Sequence, residues 1–155
     1  MPNSIKYIEP ADFLKKTIEL VNQYTGPLST TIFLNACVGL LFTATSKYAD
    51  YLKTIGNDFL VSNQVDADAI TICKRWNRVD RQLVEEDKTV YNICRHLRNS
   101  IAHCNFRPIK GNRNTIYKIH FTDKQYDDIT FDFEMDISTF RKFISAVAAE
   151  VAKQQ

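Results

Sequence analysis

Apolar residues recur with a helical period over the first half of the chain. Pro10 fits the first position of a helix whose apolar stripe ends near Thr25-Gly26-Pro27. A second helix is predicted from about Ser29. Its segment TTIFLNACVGLLFTA is apolar on nearly all sides, which is typical of the central and most buried helix of a protein. The pattern continues to a break at Gly56-Asn57.

Two further helices are predicted in the middle of the chain. The first begins at Asp66 or Asp68, which are good N-terminal caps, and passes through residues 70–83. The second begins at Glu86, where an acid suits the positive end of a helix, and carries the segment RHLRNSIAHCNF. It ends within residues 104–107, because the proline that follows cannot continue a helix.

The period changes from helical to alternating after Pro108. Residues 116–121 and 129–135 alternate in polarity, which predicts two short strands that pair antiparallel. Asp136 or Ser138 then caps a last amphipathic helix. The whole pattern predicts a mainly α fold, a bundle of four to five helices with a short β-hairpin inserted before the C-terminal helix.

Length and composition agree with a single domain over residues 1–155. Hydrophobic residues make up 45% of the chain and charged residues 25%, as in an ordinary soluble globular protein. The start has no apolar signal-peptide core, and the apolar run from Ile32 to Thr45, about fourteen residues, is too short to span a bilayer. We therefore expect a cytoplasmic protein that does not engage a membrane.

The formal net charge of +2 gives no global field for nucleic acid, but the charge is unevenly distributed. Residues 74–113 hold ten lysines and arginines against four acids. The cations Lys74, Arg75, Arg78 and Arg81 recur at helical spacing, either as a track for an RNA backbone or as a plain solvated face. Four cysteines form no C-x-x-C pair and no zinc spacing, so no metal site is expected.

The segment RHLRNSIAHCNF concentrates chemistry-bearing side chains on one side of its helix. Arg98, Asn99 and His103 fall within an arc of roughly 140°, and Arg95 and His96 lie in or beside it. The opposite side is apolar, with Val90, Ile93, Cys94, Leu97 and Ile101. Histidine can take or give a proton at neutral pH, and arginine offers a planar fork of donors to phosphate oxygens. An arginine, an amide and a histidine that converge suit phosphodiester chemistry.

This segment resembles the signature of the HEPN superfamily, the higher eukaryotes and prokaryotes nucleotide-binding domain. That signature is an arginine, a polar residue directly after it, and a histidine four to six residues beyond the arginine. Here these are Arg98, Asn99 and His103. The order FLNACVGLL, LRNSIAHCNF, strand pair and C-terminal helix is similar to a small stand-alone HEPN nuclease group of bacterial plasmids and defence loci.

The resemblance implies a metal-independent endoribonuclease that needs no cofactor and acts as a homodimer. Two motif helices would face each other, so that two arginines and two histidines line one composite cleft. The expected products are a 2′,3′-cyclic phosphate and a 5′-hydroxyl. The resemblance also implies RNA as the substrate, a role as a bacterial toxin or phage-defence effector, and an antitoxin or regulatory protein as a further partner.

Two other functions fit the same residues. One is a catalytically silent HEPN module that binds RNA, a nucleotide or a partner protein; the other is a structural dimer whose polar arc faces solvent. Among the weaker site candidates, Arg95 and His96 either contact RNA beside the site or merely solubilise the helix. Asn35, an amide inside an apolar run, is either hydrogen-bonded within the bundle or supports the cleft. His120 is expected to be a surface or packing residue.

Overall fold

Helices and strands alternate along the chain in the computed structural model, which describes residues 9–26 and 28–154. Pro27, part of the predicted helix break, and the N-terminal segment 1–8, in which no signal-peptide core is predicted, lie outside these residues. The described elements are, in chain order, α1 (Pro10–Gln23), α2 (Ser29–Lys47), α3 (Ala49–Thr54), α4 (Asp58–Ser62), β1 (Ile72–Asn77), β2 (Gln82–Glu85), α5 (Val90–Ala102), β3 (Phe106–Lys110), β4 (Ile116–Gln125), β5 (Asp128–Asp136) and α6 (Ile137–Ala152).

The strands form one five-stranded sheet in the order β2-β1-β5-β4-β3, and every neighbouring pair is antiparallel. The register pairs Cys73 with Phe131, and Phe121 with both Phe106 and Phe133. Residues directly opposite in an antiparallel pair share a face, so these side chains line one face of the sheet. Helices α5 and α6 pack on the sheet, and α1 and α2 pack on these two helices in turn.

The prediction of a mainly α bundle with one short hairpin is therefore wrong, because the protein has an α/β fold. The largest error is the helix predicted through residues 70–83, which is the hairpin of β1 and β2. Asn77 closes the hairpin: its Oδ1 accepts from the backbone N–H of Val79 at 2.9 Å. Asp66 does cap, but it heads only the short 3₁₀ turn Ala67–Ala69. Pairing with β5 outweighed the weak helical spacing, as tertiary contacts often do.

Strand β3 was also missed, because Pro108 suggested a loop. The sheet order places β3 at an edge, where a residue without an N–H is tolerated. Other predictions are confirmed: α1 begins at Pro10, α2 begins at Ser29, and α6 follows Asp136. The motif helix α5 is shorter than predicted, since Thr89 caps it by accepting from the backbone N–H of Asn92 at 3.2 Å.

Helix α2 ends at Lys47, before the predicted break at Gly56-Asn57, and it is not buried all round. The helix has 19 residues, and an 18-residue window of it has a mean hydropathy of 1.3, which by length and composition alone is enough to cross a membrane. In the fold it packs against α1, α5 and α6 through buried residues that include Phe33, Cys37 and Leu41. Its opposite side is exposed, including Phe42.

Three buried phenylalanines join the helical layers to the sheet. The Phe140 ring of α6 lies 5.5 Å from the Phe33 ring of α2 and 5.0 Å from the Phe121 ring of β4, between ring centroids. All three side chains are fully buried. Phe140 thus connects the elements between which the motif helix is held.

We expect Phe140→Ala to lower the free energy of unfolding by about 3–5 kcal/mol, because it removes a buried aromatic side chain and leaves a cavity. Urea denaturation followed by far-UV circular dichroism measures this. The control is Leu20→Ala, whose side chain is exposed on α1; it should change stability by less than about 0.5 kcal/mol. Equal effects of the two substitutions would contradict the described core.

Candidate functional site

The motif helix α5 lies between α2 and strand β4, which leaves only a narrow side of it open. Ile93, Cys94 and Leu97 are buried, as the apolar stripe predicts. Arg98 and Asn99 are half-buried, whereas His96 is buried. The predicted polar arc is therefore split, because part of it faces the sheet and part faces solvent.

Arg98 is held in place by two neighbours. Its Nε and Nη2 donate to Asn99 Oδ1 at 3.1 and 2.8 Å, and its Nη1 donates to Thr45 Oγ1 at 3.0 Å. Thr45 is buried on α2 and itself donates to the carbonyl of Leu41 at 2.7 Å. A guanidinium has five N–H donors, so these three bonds fix its plane and leave two donors for another acceptor.

Asn99 is oriented in turn by a carboxylate from the sheet. Its Nδ2 donates to Asp123 Oδ2 at 3.0 Å, which directs its carbonyl oxygen towards Arg98. The other oxygen of Asp123 accepts from the backbone N–H of Lys124 at 2.9 Å. Asp123 is buried at the inner face of β4. The amide that follows the motif arginine is thus part of a chain of hydrogen bonds from α2 to β4.

His96 completes that chain from inside the protein. Its ring is only 2% exposed, stacks on Phe131 at 4.8 Å, and donates from Nδ1 to Asp123 Oδ2 at 2.8 Å and from Nε2 to Glu86 Oε1 at 2.6 Å. Arg95 also donates to Glu86. His96 therefore supports the site from the sheet side, and Arg95 is tied to the same buried carboxylate.

The charges of this cluster follow from its hydrogen bonds. Burial by itself lowers the pKa of His96, but hydrogen bonds with Asp123, Cys73 and Glu86 outweigh it and raise the pKa to about 10. Burial raises the pKa of Asp123, but the bonds from His96 and Asn99 outweigh that and lower it overall. The pair is thus an imidazolium and a carboxylate at neutral pH.

His103 lies just beyond the helix, at its C-terminal cap. Its backbone N–H donates to the carbonyl of Asn99 at 3.0 Å, and Cys104 follows with a φ of 55°. The His103 side chain is exposed and makes no side-chain hydrogen bond within the described part of the chain. The structure therefore brings Arg98 and Asn99 into direct contact and leaves the His103 imidazole open to solvent.

Asn35 is not hydrogen-bonded inside the bundle, because it lies on the exposed side of α2. The residue of α2 that reaches the motif is Thr45, ten positions further along. At 1.5 Å per residue the two positions are about 15 Å apart along the helix. Thr45 thus has the supporting role that the sequence analysis considered for Asn35.

Thr45, Glu86 and Asp123 also belong to the site, although the sequence did not predict them as site residues. A usable signal existed for Asp123, since it follows Ile119 and Phe121 at a spacing of two and must share their buried face. No comparable signal marks Glu86, which the chain supplies from the segment between β2 and α5. Its role depends on how that segment crosses the motif helix.

Within the described residues, a thiol, a carboxylate and an imidazole that could bind a metal ion lie close together. The donor atoms of Cys73, Glu86 and His96 lie within 4.8 Å of one another. However, Arg95 Nη2 lies 3.3 Å from His96 Nε2 and donates to the same carboxylate. A metal ion would have to displace both this guanidinium and the imidazole proton, so the donor set favours an ion-paired cluster over a metal site.

Comparison with known protein families identifies one that covers the chain. The family model described as HEPN pEK499 p136 matches residues 1–155, the whole chain. No curated protein and no solved structure gives a significant match.

The buried imidazolium predicts a specific pH dependence of stability. The pKa of His96 is raised from 6.5 to about 10 by folding, so its contribution is fully present below pH 6.5 and is lost as pH rises towards 10. We expect the free energy of unfolding to fall by about 2–5 kcal/mol across that interval. Urea denaturation at several pH values measures this fall.

The matched control compares two histidine substitutions. His96→Gln should remove most of this pH dependence, whereas His120→Gln, a partly exposed position paired with Asp132, should retain it. A wild-type profile that coincides with that of His96→Gln would show that His96 is not the buried cation.

Proposed function

The chain belongs to the HEPN pEK499 p136 family, and we propose that it is a metal-independent endoribonuclease that uses Arg98, Asn99 and His103. The observation that carries the proposal is the fixed Arg98 guanidinium. Asn99 and Thr45 hold it beside the end of the helix at which His103 is exposed. A fixed cation and an open imidazole are the two groups that cleavage of RNA by its own 2′-hydroxyl requires.

In the proposed reaction, the ribose 2′ oxygen attacks phosphorus while an imidazole accepts its proton. The bond between phosphorus and the 5′ oxygen breaks, and an imidazolium donates a proton to that leaving oxygen. The products are a 2′,3′-cyclic phosphate and a 5′-hydroxyl. Arg98 binds the phosphate oxygens as negative charge develops, and Asn99 keeps the guanidinium oriented.

The positions of the three histidines support a composite site in a homodimer. His96 is buried between two carboxylates, and His120 lies on the other face of the sheet, paired with Asp132 at 3.0 Å. His103 is therefore the one histidine of this chain that is open at the motif. Because the reaction needs both a proton acceptor and a proton donor, we infer that a second copy supplies the other His103.

The biological role that we propose is that of a bacterial toxin or phage-defence effector in the cytoplasm, restrained by an antitoxin or other regulatory protein. A family match over the full chain supports the HEPN part of this proposal. The other candidate is a HEPN module that binds RNA, a nucleotide or a partner protein without cleavage. The cleavage experiment below separates the two.

Purified protein should cleave labelled single-stranded RNA in the presence of EDTA and leave a 2′,3′-cyclic phosphate end. We expect His103→Ala and Arg98→Ala each to slow cleavage by about 10²–10⁴-fold, since each removes a group that acts on the phosphate. The control is Lys16→Ala, an exposed position on α1, which should retain full activity. Binding without cleavage would favour the silent module.

The composite site is tested in a covalently linked dimer that carries His103→Ala in one copy only. We expect its cleavage rate to fall by at least about 10²-fold, because one of two proton-transfer groups is missing. A linked dimer with Lys16→Ala in one copy is the control. Full activity of the half-substituted dimer would overturn the composite site and leave each chain with a site of its own.

A further inference from the structure

A cavity of about 390 Å³ opens beside the motif, on the face of the sheet opposite α5. It begins at Cys104, directly after His103, and continues over Arg107 of β3, His120, Thr122 and Lys124 of β4, and Asp132 of β5. Its volume is within the range of small-molecule sites. None of these residues belongs to the site described above.

We propose that this cavity binds the nucleotide next to the scissile phosphate in single-stranded RNA. The proposal rests on the proposed function and extends it, because it assigns a binding place to one nucleotide that flanks the reacting bond. Three features of the cavity support the proposal: its connection to the motif, the charge of its wall, and the hydrogen-bonding groups that line it.

The connection runs through one short turn. Asn105 donates its backbone N–H to the carbonyl of Ser100 in α5 at 2.7 Å, and its own carbonyl accepts from the N–H of Thr122 in β4 at 2.9 Å. His103 and Cys104 lie within this tied turn. The backbone that carries His103 and the cavity-lining Cys104 is therefore tied to both α5 and β4.

Strand β4 connects the two places a second time. Successive residues of a strand point to opposite faces, so Asp123 points inward to Asn99 while Thr122 and Lys124 line the cavity. The Lys124 N–H also donates to Asp123 at 2.9 Å. Of these three consecutive residues, Asp123 supports Arg98 through Asn99 on one face of the sheet. Thr122 and Lys124 form part of the cavity wall on the other face.

The chemistry of the wall suits a nucleotide. Arg107 and Lys124 are exposed cations at its rim, opposite one acid, Asp132, which is already paired with His120. These two cations complement a phosphate chain. The imidazole and carboxylate of the pair, together with the Thr122 hydroxyl, provide donors and acceptors for the edge of an unstacked base, which is how single-stranded RNA is recognised.

The proposal is tested by RNA binding to the His103→Ala protein, which removes cleavage from the measurement. Fluorescence anisotropy with a labelled single-stranded oligoribonucleotide, repeated over a range of salt, gives the affinity and its salt slope. Adding Arg107→Ala and Lys124→Ala together should weaken binding by at least about tenfold and reduce the salt slope by about 1.4, for two lost phosphate contacts.

The matched control is the double substitution Lys15→Ala and Lys16→Ala, which removes the same charge from exposed positions on α1. It should leave the affinity nearly unchanged. Equal losses in the two double variants would overturn the proposal, since general electrostatics would then explain binding. Saturable displacement of the RNA by a free mononucleotide at similar affinity would also overturn it, in favour of a small-nucleotide site.

A third substitution tests base recognition separately from charge. In the protein with an intact motif, His120→Ala should change the ratio of the cleavage rates on different homopolymeric RNAs, because it removes a group proposed to contact the base. An unchanged preference would contradict the role of the His120–Asp132 pair. Because the binding assay does not depend on turnover, a protein that binds through the cavity but does not cleave would refute the proposed enzyme alone.

Discussion

The Asp123 carboxylate joins the sheet to the motif helix, and the arrangement of the site depends on it. One of its oxygens accepts from both His96 and Asn99, and the other accepts from the backbone of β4. A buried carboxylate without partners would cost several kcal/mol, so the rotation of α5 that presents both donors to it is strongly favoured. That rotation in turn decides which residues of α5 remain exposed.

Two histidines of the same segment consequently have different roles. His96 is a buried cation between Asp123 and Glu86, where its hydrogen bonds raise its pKa to about 10. Such a group keeps its proton at neutral pH and suits support of a structure rather than proton exchange. His103 lies outside the helix and is exposed, which fits the proton-transfer role that we propose for it. The two histidines are seven residues apart, which is about two helical turns. A helical wheel therefore places them on the same side and does not show their difference in burial.

The sheet has a larger part in the site than a helical bundle with one hairpin would allow. It contributes Asp123 to the inner network and Thr122 and Lys124 to the outer cavity, from one run of β4. There are physical reasons why the sequence did not predict three of its strands, β1, β2 and β3. Residues 70–83 carry apolar positions that fit both a weak helix and a hairpin, and pairing with β5 decided between them. Pro108 prevents a helix but not an edge strand.

Elements with a strong and local pattern of polar and apolar residues are predictable from the amino-acid sequence. These are the start of α1 at Pro10, the long apolar α2, the alternating pair β4 and β5, and a motif helix that places Arg98 and Asn99 next to each other. The neighbours of the motif side chains, in contrast, are set by tertiary packing. Thr45, Glu86 and Asp123 are distant in sequence from Arg98 and reach the motif through packing and strand pairing, which no local period records. Local residue spacing defines a helix face, whereas burial and the choice of partners depend on the elements that pack against it.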